Sequence, residues 1–301
     1  MEKIINEIKI NKIGKILRNV YMRDFTTYKV GGKVSLMVFP FNEEKLIKLL
    51  NLIKQFNLSY KVVGGGSNLI FSDCDYEGII IKLDYFNHLL INDNVITVGS
   101  GYNLMKLALS VSRLGLTGLE FATGIPGTIG GAVYMNSGAY KKDMGDVISQ
   151  VKVLTGDARI INLTNKGMAF GYRSSILQAH PDYICLEATL VLSVGDKKEI
   201  KELILDRKQR RLMSQPLNYP SAGSVFRNPP DDFAGRLIEE CGLKGMRIGG
   251  ALVSTKHANF IINDQQATAA DIRHLILLVK RKVKEKYAVD LKVEQEFVNW
   301  E

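Results

Sequence analysis

A run of three glycines followed by serine and asparagine constrains the fold of this chain more than any other feature. The run, residues 64–68, comes directly after a short predicted strand, residues 61–63. Glycines without a Cβ allow successive backbone N–H groups to point into one concavity that can bind anionic oxygen. A Rossmann phosphate loop must open a helix, yet residues 70–71 and 78–81 predict more strand. The sequence therefore indicates an anion-binding turn outside the Rossmann class, although a plain β-turn would use the same residues.

Two further glycine turns accompany this run. Residues 28–32 read Tyr-Lys-Val-Gly-Gly, and residues 123–138 are dense in glycine. Several loops that permit close backbone approach suit a large planar or pyrophosphate-bearing cofactor held between two lobes. The pattern is typical of a flavin site outside the Rossmann class.

A turn bracketed by two prolines, residues 220–229, presents a single serine in its small-residue centre. The apolar pair Val225-Phe226 anchors the backbone after Ser224. The flanks do not read G-x-S-x-G, and the nearest downstream histidine is His257, so no acyl-transfer apparatus accompanies the serine. We interpret Ser224 as a proton donor rather than a nucleophile; the alternative is an ordinary serine in a tight turn.

The composition predicts two or three subdomains and no membrane span. The chain has 301 residues, 46% hydrophobic and 24% charged. No apolar run reaches the ~18 residues that a membrane helix needs. The first residues lack a signal-peptide core, and Cys74, Cys185 and Cys241 are too widely spaced for a disulfide framework or a zinc site. We therefore expect a cytoplasmic protein without a metal.

The net charge of +9 could suggest a nucleic-acid partner. The basic residues are spread along the chain, however, and the densest run, residues 207–211, falls on one predicted helix. No helix-turn-helix, zinc finger or RNA-binding aromatic motif is present. An anionic small substrate or cofactor explains the charge at least as well. We expect a monomer with neither a nucleic-acid nor a membrane partner.

Hydrophobic periodicity and capping signals predict the main elements and an α+β class. We expect strands at residues 34–40, 61–63 and 291–298 and short strands within 147–192. Helices are expected at residues 43–57, 103–114, from the charged linker 195–198 to near 213, and from 268 to 287.

Six motifs in order carry a resemblance to a known family. They are Thr-Tyr-Lys-Val-Gly-Gly (27–32), Gly-Gly-Gly-Ser-Asn-Leu (64–69), Gly-Ile-Pro-Gly (124–127), Gly-Tyr-Arg-Ser-Ser (171–175), Ala-Gly-Ser-Val-Phe (222–226) and His-Ala-Asn-Phe (257–260). From about residue 15 to the C-terminus the chain resembles the UDP-N-acetylenolpyruvoylglucosamine reductase (UDP-N-acetylmuramate dehydrogenase) family. The short stretch between Arg173 and Tyr183 leaves no room for a tyrosine-bearing insertion, so the chain is similar to the shorter, loop-lacking branch.

The resemblance implies a fold and an activity. The fold is the α+β vanillyl-alcohol-oxidase/PCMH-type FAD-binding fold, with lobes at 1–85 and 86–194 and a C-terminal α+β substrate-binding domain at 195–301. Strand 291–298 is expected to join the first lobe. The implied activity is NADPH-dependent reduction of UDP-N-acetyl-3-O-(1-carboxyvinyl)-glucosamine to UDP-N-acetylmuramate in peptidoglycan biosynthesis, with non-covalent FAD.

The resemblance also implies the site residues. Arg173, Ser224 and Glu294 would be catalytic; Arg211, Asn228 and Asn259 would bind substrate. By themselves, Arg173 could be a surface ion-pair partner and Glu294 a solvated strand residue. The cofactor-binding residues would be Tyr28, Lys29, Val30, Gly31, Gly64, Gly65, Gly66, Ser67, Asn68, Leu69, Thr123, Gly124, Ile125, Pro126, Gly127, Gly130, Ala132, Val133, Ser137 and Gly138.

Two other functions remain open from the residues. A flavin-dependent sugar or alcohol oxidase would share the fold, but many such oxidases tether flavin through His or Cys, and neither occurs in 61–70 or 123–138. A nucleotide-sugar-binding protein without turnover would not need Arg173, Ser224 and Glu294 together.

Overall fold

The computed structural model describes residues 1–300. The helices are α1 (Glu2–Ile10), α2 (Glu43–Gln55), α3 (Leu104–Arg113), α4 (Ile129–Tyr134), α5 (Ile176–Ala179), α6 (Lys197–Ser214), α7 (Ala234–Glu240) and α8 (Ala269–Tyr287). The strands are β1 (Gly14–Tyr21), β2 (Lys33–Pro40), β3 (Tyr60–Val62), β4 (Leu69–Phe71), β5 (Tyr76–Ile81), β6 (Leu89–Asn92), β7 (Val95–Gly99), β8 (Leu116–Thr117), β9 (Gly138–Ala139), β10 (Lys142–Asp143), β11 (Ile148–Leu154), β12 (Ile160–Thr164), β13 (Ile184–Val191), β14 (Ser193–Val194), β15 (Arg247–Ile248), β16 (Ala251–Val253), β17 (Ile261–Asn263) and β18 (Glu296–Val298).

The chain divides into two compact units, each made of separate segments. The first unit comprises Met1–Arg18, Leu36–Gly65 and Gly78–Gln209. The second comprises Asn19–Ser35, Gly66–Glu77 and the described residues from Arg210 onward. The glycine run at residues 64–66 is therefore divided, with Gly64 and Gly65 in the first unit and Gly66 in the second.

A four-stranded sheet in the order β1-β2-β5-β3 has most of its residues in the first unit, with α1 and α2 in the same core. Helix α2 was predicted, and its apolar residues Leu46, Leu49 and Ile53 are buried as its spacing requires. Helix α1 was not predicted, although Ile4 and Ile8 stand one turn apart and are buried. Its short length and alternating charges concealed that signal.

An antiparallel sheet in the order β12-β11-β13-β7-β6 forms the other part of the first unit. Its core includes buried residues of α3 and α4. Helix α3 matches its prediction: the Asn103 side chain accepts a hydrogen bond from the Lys106 N–H, and Gly115 follows the helix with φ +85°. Asn103 and Gly115 therefore mark the two ends of α3 in the sequence.

The second unit contains the antiparallel sheet β15-β16-β17, whose core includes α7 and α8. Helix α8 begins where predicted, because Thr268 and Asp271 form the expected capping box. The Asp73 carboxylate adds to this end of the helix by accepting from the N–H groups of Ala269 and Ala270, each at 2.9 Å. A parallel pair, β4 with β18, completes the unit.

Two local predictions were wrong. Residues 197–198 of the predicted linker 195–198 already belong to α6, because the Asp196 side chain caps the helix by accepting from the N–H groups of Lys198 and Glu199. The final strand is shorter than the predicted 291–298: it covers only Glu296–Val298. Its backbone changes partners, since the Glu294 N–H donates to Val225 O and the Glu296 N–H to Asn68 O. Residues 291–298 therefore do not pair with one neighbouring strand along their whole length.

Candidate active site

Two of the predicted glycine turns meet in the first unit. A Cβ added to Gly65 would lie 2.8 Å from the Cα of Gly127, and one added to Gly64 would lie 2.5 Å from the Thr128 Oγ1. A real Cβ atom does not come so close to another atom, and because the Gly65 contact is with backbone that cannot simply rotate away, only glycine permits it. Gly65 is nevertheless exposed on its other side. The two turns form a bare backbone cradle of the kind that an anionic cofactor group requires.

The second glycine stretch is partly helical, which the sequence did not predict. Thr128 caps helix α4 by accepting from the Gly131 N–H. A Cβ on Gly130 would meet the Ser100 Cβ at 3.1 Å, and the Gly130 N–H donates to Ser100 O at 2.8 Å. The glycines here therefore serve close helix packing as well as the cradle. Ala132 and Val133, predicted to bind cofactor, are 5% and 0% exposed and pack in the core.

A buried lysine that sequence reasoning missed supports the first glycine turn. Lys82 is 8% exposed, and its Nζ donates to Gly64 O at 2.7 Å and lies 3.5 Å from the Asp84 carboxylate. Burial of an ammonium group is costly unless such hydrogen-bond and ion-pair partners compensate it. In the sequence, Lys82 is marked only as a single basic residue directly after the apolar strand β5.

Arg173 occupies a constrained turn in the first unit. Gly171 and Ser174 pair across it, and Arg173 has φ +58°, a conformation that costs a non-glycine residue ~1–3 kcal/mol. The Arg173 Nη2 donates to Gly138 O at 2.9 Å, and the Gln178 side chain donates to Arg173 O at 3.1 Å. The structure thus brings Arg173 to Gly138, a predicted cofactor residue.

The buried Asn136, which was also missed, fixes the turn that carries Arg173. It is 2% exposed, its Nδ2 donates to Gly171 O at 2.9 Å, and its Oδ1 accepts from the Gly145 N–H at 2.8 Å. Ser175 donates to Tyr134 O at 2.8 Å, close to the predicted cofactor residues of α4. These side-chain bonds join the Arg173 turn to the end of the second glycine stretch.

Ser224 and Glu294 lie on adjacent segments of the second unit. The Glu294 N–H donates to Val225 O at 2.8 Å, and Phe226 pairs with Val293. The Asn68 Nδ2 donates to Glu294 O at 3.2 Å, which adds a predicted cofactor residue to the group. Ser224 and Glu294 are each half-buried rather than fully solvated. Residues that are far apart in sequence are therefore neighbours here.

Asn259, predicted to bind substrate, has an observed role in holding the serine turn. It is 4% exposed; its Oδ1 accepts from the Phe226 N–H at 2.9 Å and its Nδ2 donates to Phe226 O at 2.8 Å. Its backbone O also accepts from the Val225 N–H at 2.9 Å. A substrate contact from Asn259 stays a prediction, whereas these partners make it a support for the segment after Ser224.

The other predicted ligand residues of the second unit differ in exposure. Asn228 is exposed, and its Oδ1 accepts from the Ala234 N–H at the start of α7. Arg211 is half-buried near the end of α6. Tyr28 is fully buried, and its hydroxyl donates to the Gln295 Oε1 at 3.1 Å. The Tyr28 hydroxyl is therefore already hydrogen-bonded within the core. A cofactor contact through the Tyr28 backbone stays a prediction.

Fold and cradle together define a FAD-binding flavoprotein. A family model described as "FAD binding domain" matches residues 34–164, which include Gly64, Gly65 and the second glycine stretch up to Gly138. A second model, "UDP-N-acetylenolpyruvoylglucosamine reductase, C-terminal domain", matches residues 215–298, which include Ser224, Asn259 and Glu294.

Full-length relatives identify the family. The chain is 44% identical over 299 residues to "UDP-N-acetylenolpyruvoylglucosamine reductase 1" of Bacillus cereus and 43% identical over 299 residues to the reductase of Bacillus subtilis, covering 99% of each. A crystal structure of the reductase from Thermus caldophilus is 35% identical, with a TM-score of 0.81 over 94% of this chain and 99% of that one. The chain belongs to the UDP-N-acetylenolpyruvoylglucosamine reductase family.

These findings confirm several predictions. The family, the FAD-binding fold with a C-terminal family domain, and FAD as the cofactor are as the resemblance implied. No helix among residues 1–300 has the length and apolar character to cross a membrane. The individual site residues and the residue boundaries of the three domains stay predictions.

Proposed function

We propose that Arg173, Ser224 and Glu294 carry out the reaction of this family in this chain. That reaction reduces the enolpyruvyl ether of UDP-N-acetylglucosamine to the lactyl ether of UDP-N-acetylmuramate in peptidoglycan synthesis, with FAD as cofactor and NADPH as reductant. The observation that carries the proposal is the backbone pairing that places the Ser224 turn beside Glu294.

The cradle formed by Gly64, Gly65 and Gly127 fits the diphosphate of FAD. It offers backbone without Cβ atoms, and Lys82 holds it from its buried side. When bound, FAD supplies the two-electron transfer from NADPH to the alkene. The protein supplies the binding surface, the proton and the stabilisation of charge.

Each of the three catalytic side chains has its own role in this reduction. Reduction of the terminal alkene carbon leaves negative charge beside the substrate carboxylate. The planar guanidinium of Arg173 matches a carboxylate and can stabilise that charge without reorganising, since its turn is already constrained. The Ser224 hydroxyl then gives its proton to the adjacent carbon, for which it must stand within hydrogen-bond reach. Glu294 holds a hydrogen bond on the group that carries the developing negative charge beside the substrate carboxylate.

Arg211 is our candidate for the UDP diphosphate, with Asn228 as an additional donor. An arginine fork binds phosphate oxygens bidentately, and Arg211 stands near the end of α6. We keep 1–85 and 86–194 as the proposed cofactor lobes and 195–301 as the proposed substrate domain; the two family models, at residues 34–164 and 215–298, lie on either side of the boundary at 194/195.

We further propose a cytoplasmic monomer that uses neither a nucleic-acid nor a membrane partner. Cys74, Cys185 and Cys241 are all unpaired, which suits a reducing compartment. The cation clusters match no nucleic-acid-binding motif. A dimer in sedimentation equilibrium would contradict the monomer.

Anaerobic mixing tests the activity directly. The purified protein is mixed with NADPH and then with the enolpyruvyl substrate while the flavin absorbance is followed. We expect bleaching by NADPH and recovery of the oxidised spectrum on addition of substrate, with UDP-N-acetylmuramate as product. Recovery only on admission of oxygen would support the oxidase alternative instead.

Glu294→Gln is expected to retain FAD and the UDP-sugar while losing most of the rate of substrate reduction. The amide preserves shape but removes the acid, and loss of one group that stabilises developing charge costs ~10²-fold. The measurement is the rate of flavin reoxidation by substrate, with Glu296→Gln, two residues further along, as matched control. Full turnover of Glu294→Gln would show that Glu294 is a solvated strand residue after all.

A further inference from the structure

A buried glutamine beside Glu294 has no part in the mechanism above. Gln295 is 3% exposed, and its Nε2 donates to Ala222 O at 3.1 Å and to the carbonyl oxygens of Gly223 and Ser224, each at 3.4 Å. The two N–H bonds of one side-chain amide are therefore shared among three consecutive carbonyl groups of the serine turn, of which Ala222 O is the nearest. A buried amide is costly unless it is paired, so this arrangement is a strong local constraint.

Tyr28 sets the orientation of that amide. Its hydroxyl, fully buried, donates to the Gln295 Oε1 at 3.1 Å, which leaves the Nε2 to face the three carbonyls. With the amide reversed, Oε1 would oppose three carbonyl oxygens without a hydrogen between them. Burial also raises the pKa of the Tyr28 phenol well above its usual range, so the hydroxyl stays protonated and remains a donor.

Gln295 also occupies the point at which the C-terminal segment changes partner. Glu294 pairs through its N–H with Val225 O, and Glu296 pairs with Asn68 O. Asn259 holds the serine turn on its downstream side through both groups of Phe226. Gln295 holds the upstream side at residues 222–224, next to the backbone hydrogen bond from the Asn263 N–H to Pro220 O at 2.9 Å. The turn is thus held on both sides of Ser224.

We propose that Gln295, oriented by the Tyr28 hydroxyl, is a positioning residue that holds the Ser224 turn in register with Glu294 for proton delivery. The inference rests on the proposed function of Ser224. Its consequence is that Gln295 affects only the substrate half-reaction and acts only through Ser224. A residue needed merely for core stability would have neither property.

The test uses the FAD-loaded enzyme and the variants Gln295→Met and Tyr28→Phe, each near-isosteric. We expect flavin reduction by NADPH to stay near wild type and reoxidation by substrate to fall by ~10²-fold in Gln295→Met, because misplacement of a reacting group by about 1 Å costs that much. Tyr28→Phe, which keeps the ring in the core, should fall less. Asn299→Ala is the matched control: its amide also donates to three acceptors, Ser72 Oγ, Cys74 O and Asp75 O, away from the serine turn.

Combining Gln295→Met with Ser224→Ala distinguishes a positioning role of Gln295 from a merely structural one. If Gln295 acts through Ser224, Gln295→Met should cause no further slowing in the Ser224→Ala background. Equal slowing of both half-reactions, or the same ~10²-fold loss in both backgrounds, would overturn the positioning role while leaving that of Ser224 intact. A Ser224→Ala enzyme with normal reoxidation would refute the proposed function itself, and the positioning role with it.

Discussion

Ser224→Ala is expected to leave flavin reduction by NADPH near the wild-type rate and to slow reoxidation by the enolpyruvyl substrate by more than ~10³-fold. The first half-reaction needs no proton donor to carbon, so loss of the hydroxyl has nothing to affect there. The second depends on a donor, and the two side chains that hold the Ser224 turn, Gln295 and Asn259, present amides bonded to backbone groups. Neither amide is a comparable acid.

Stopped-flow measurement of the two half-reactions checks this result. Ser221→Ala is the matched control, because it removes a hydroxyl from the same proline-bracketed segment without altering the proposed donor. Equal loss in both half-reactions of Ser224→Ala would mean that the serine is structural. In that case the turn would serve only to pack Val225 and Phe226 into the core.

Gly65→Val should yield colourless protein. The added Cβ would lie 2.8 Å from the Gly127 Cα, a backbone atom that can move only if the two glycine turns separate. Overpacking of this kind costs ~1–3 kcal/mol. At ~1.4 kcal/mol for each factor of ten, that alone weakens FAD binding by up to about 10²-fold. Displacement of the N–H groups from the cofactor adds to the loss.

The ratio of flavin absorbance to protein absorbance after purification, followed by titration with FAD, measures this effect. Gly131→Ala is the control within the second glycine stretch: its Cβ would meet only the Thr128 Oγ1, at 3.6 Å, an ordinary contact. Alanine in α4 should cost no flavin and even favour the helix. Wild-type FAD content in a folded Gly65→Val protein would contradict the cradle. Flavin that stays with the acid-precipitated polypeptide would instead contradict non-covalent binding.

The helices that could be predicted depend on local sequence signals. Helices α2, α3 and α8 could be predicted because their signals lie within the elements themselves: apolar residues one turn apart, Asn103 and Thr268 as N-caps, and Gly115 after the last turn. The family motifs were also readable, because each is a contiguous run of residues. The sequence alone therefore determined the fold class, the cofactor and the family of reaction.

Which residues surround these motifs depends on how the chain folds. Lys82, Asn136 and Gln295 carry no distinctive pattern, since each gains its role from carbonyl groups distant in sequence. The shortened last strand has the same origin: alternation predicts an extended segment, but its two backbone partners, Val225 and Asn68, are set by the fold. Local propensity is a property of neighbouring residues, whereas burial and pairing depend on residues that the chain brings together only when folded.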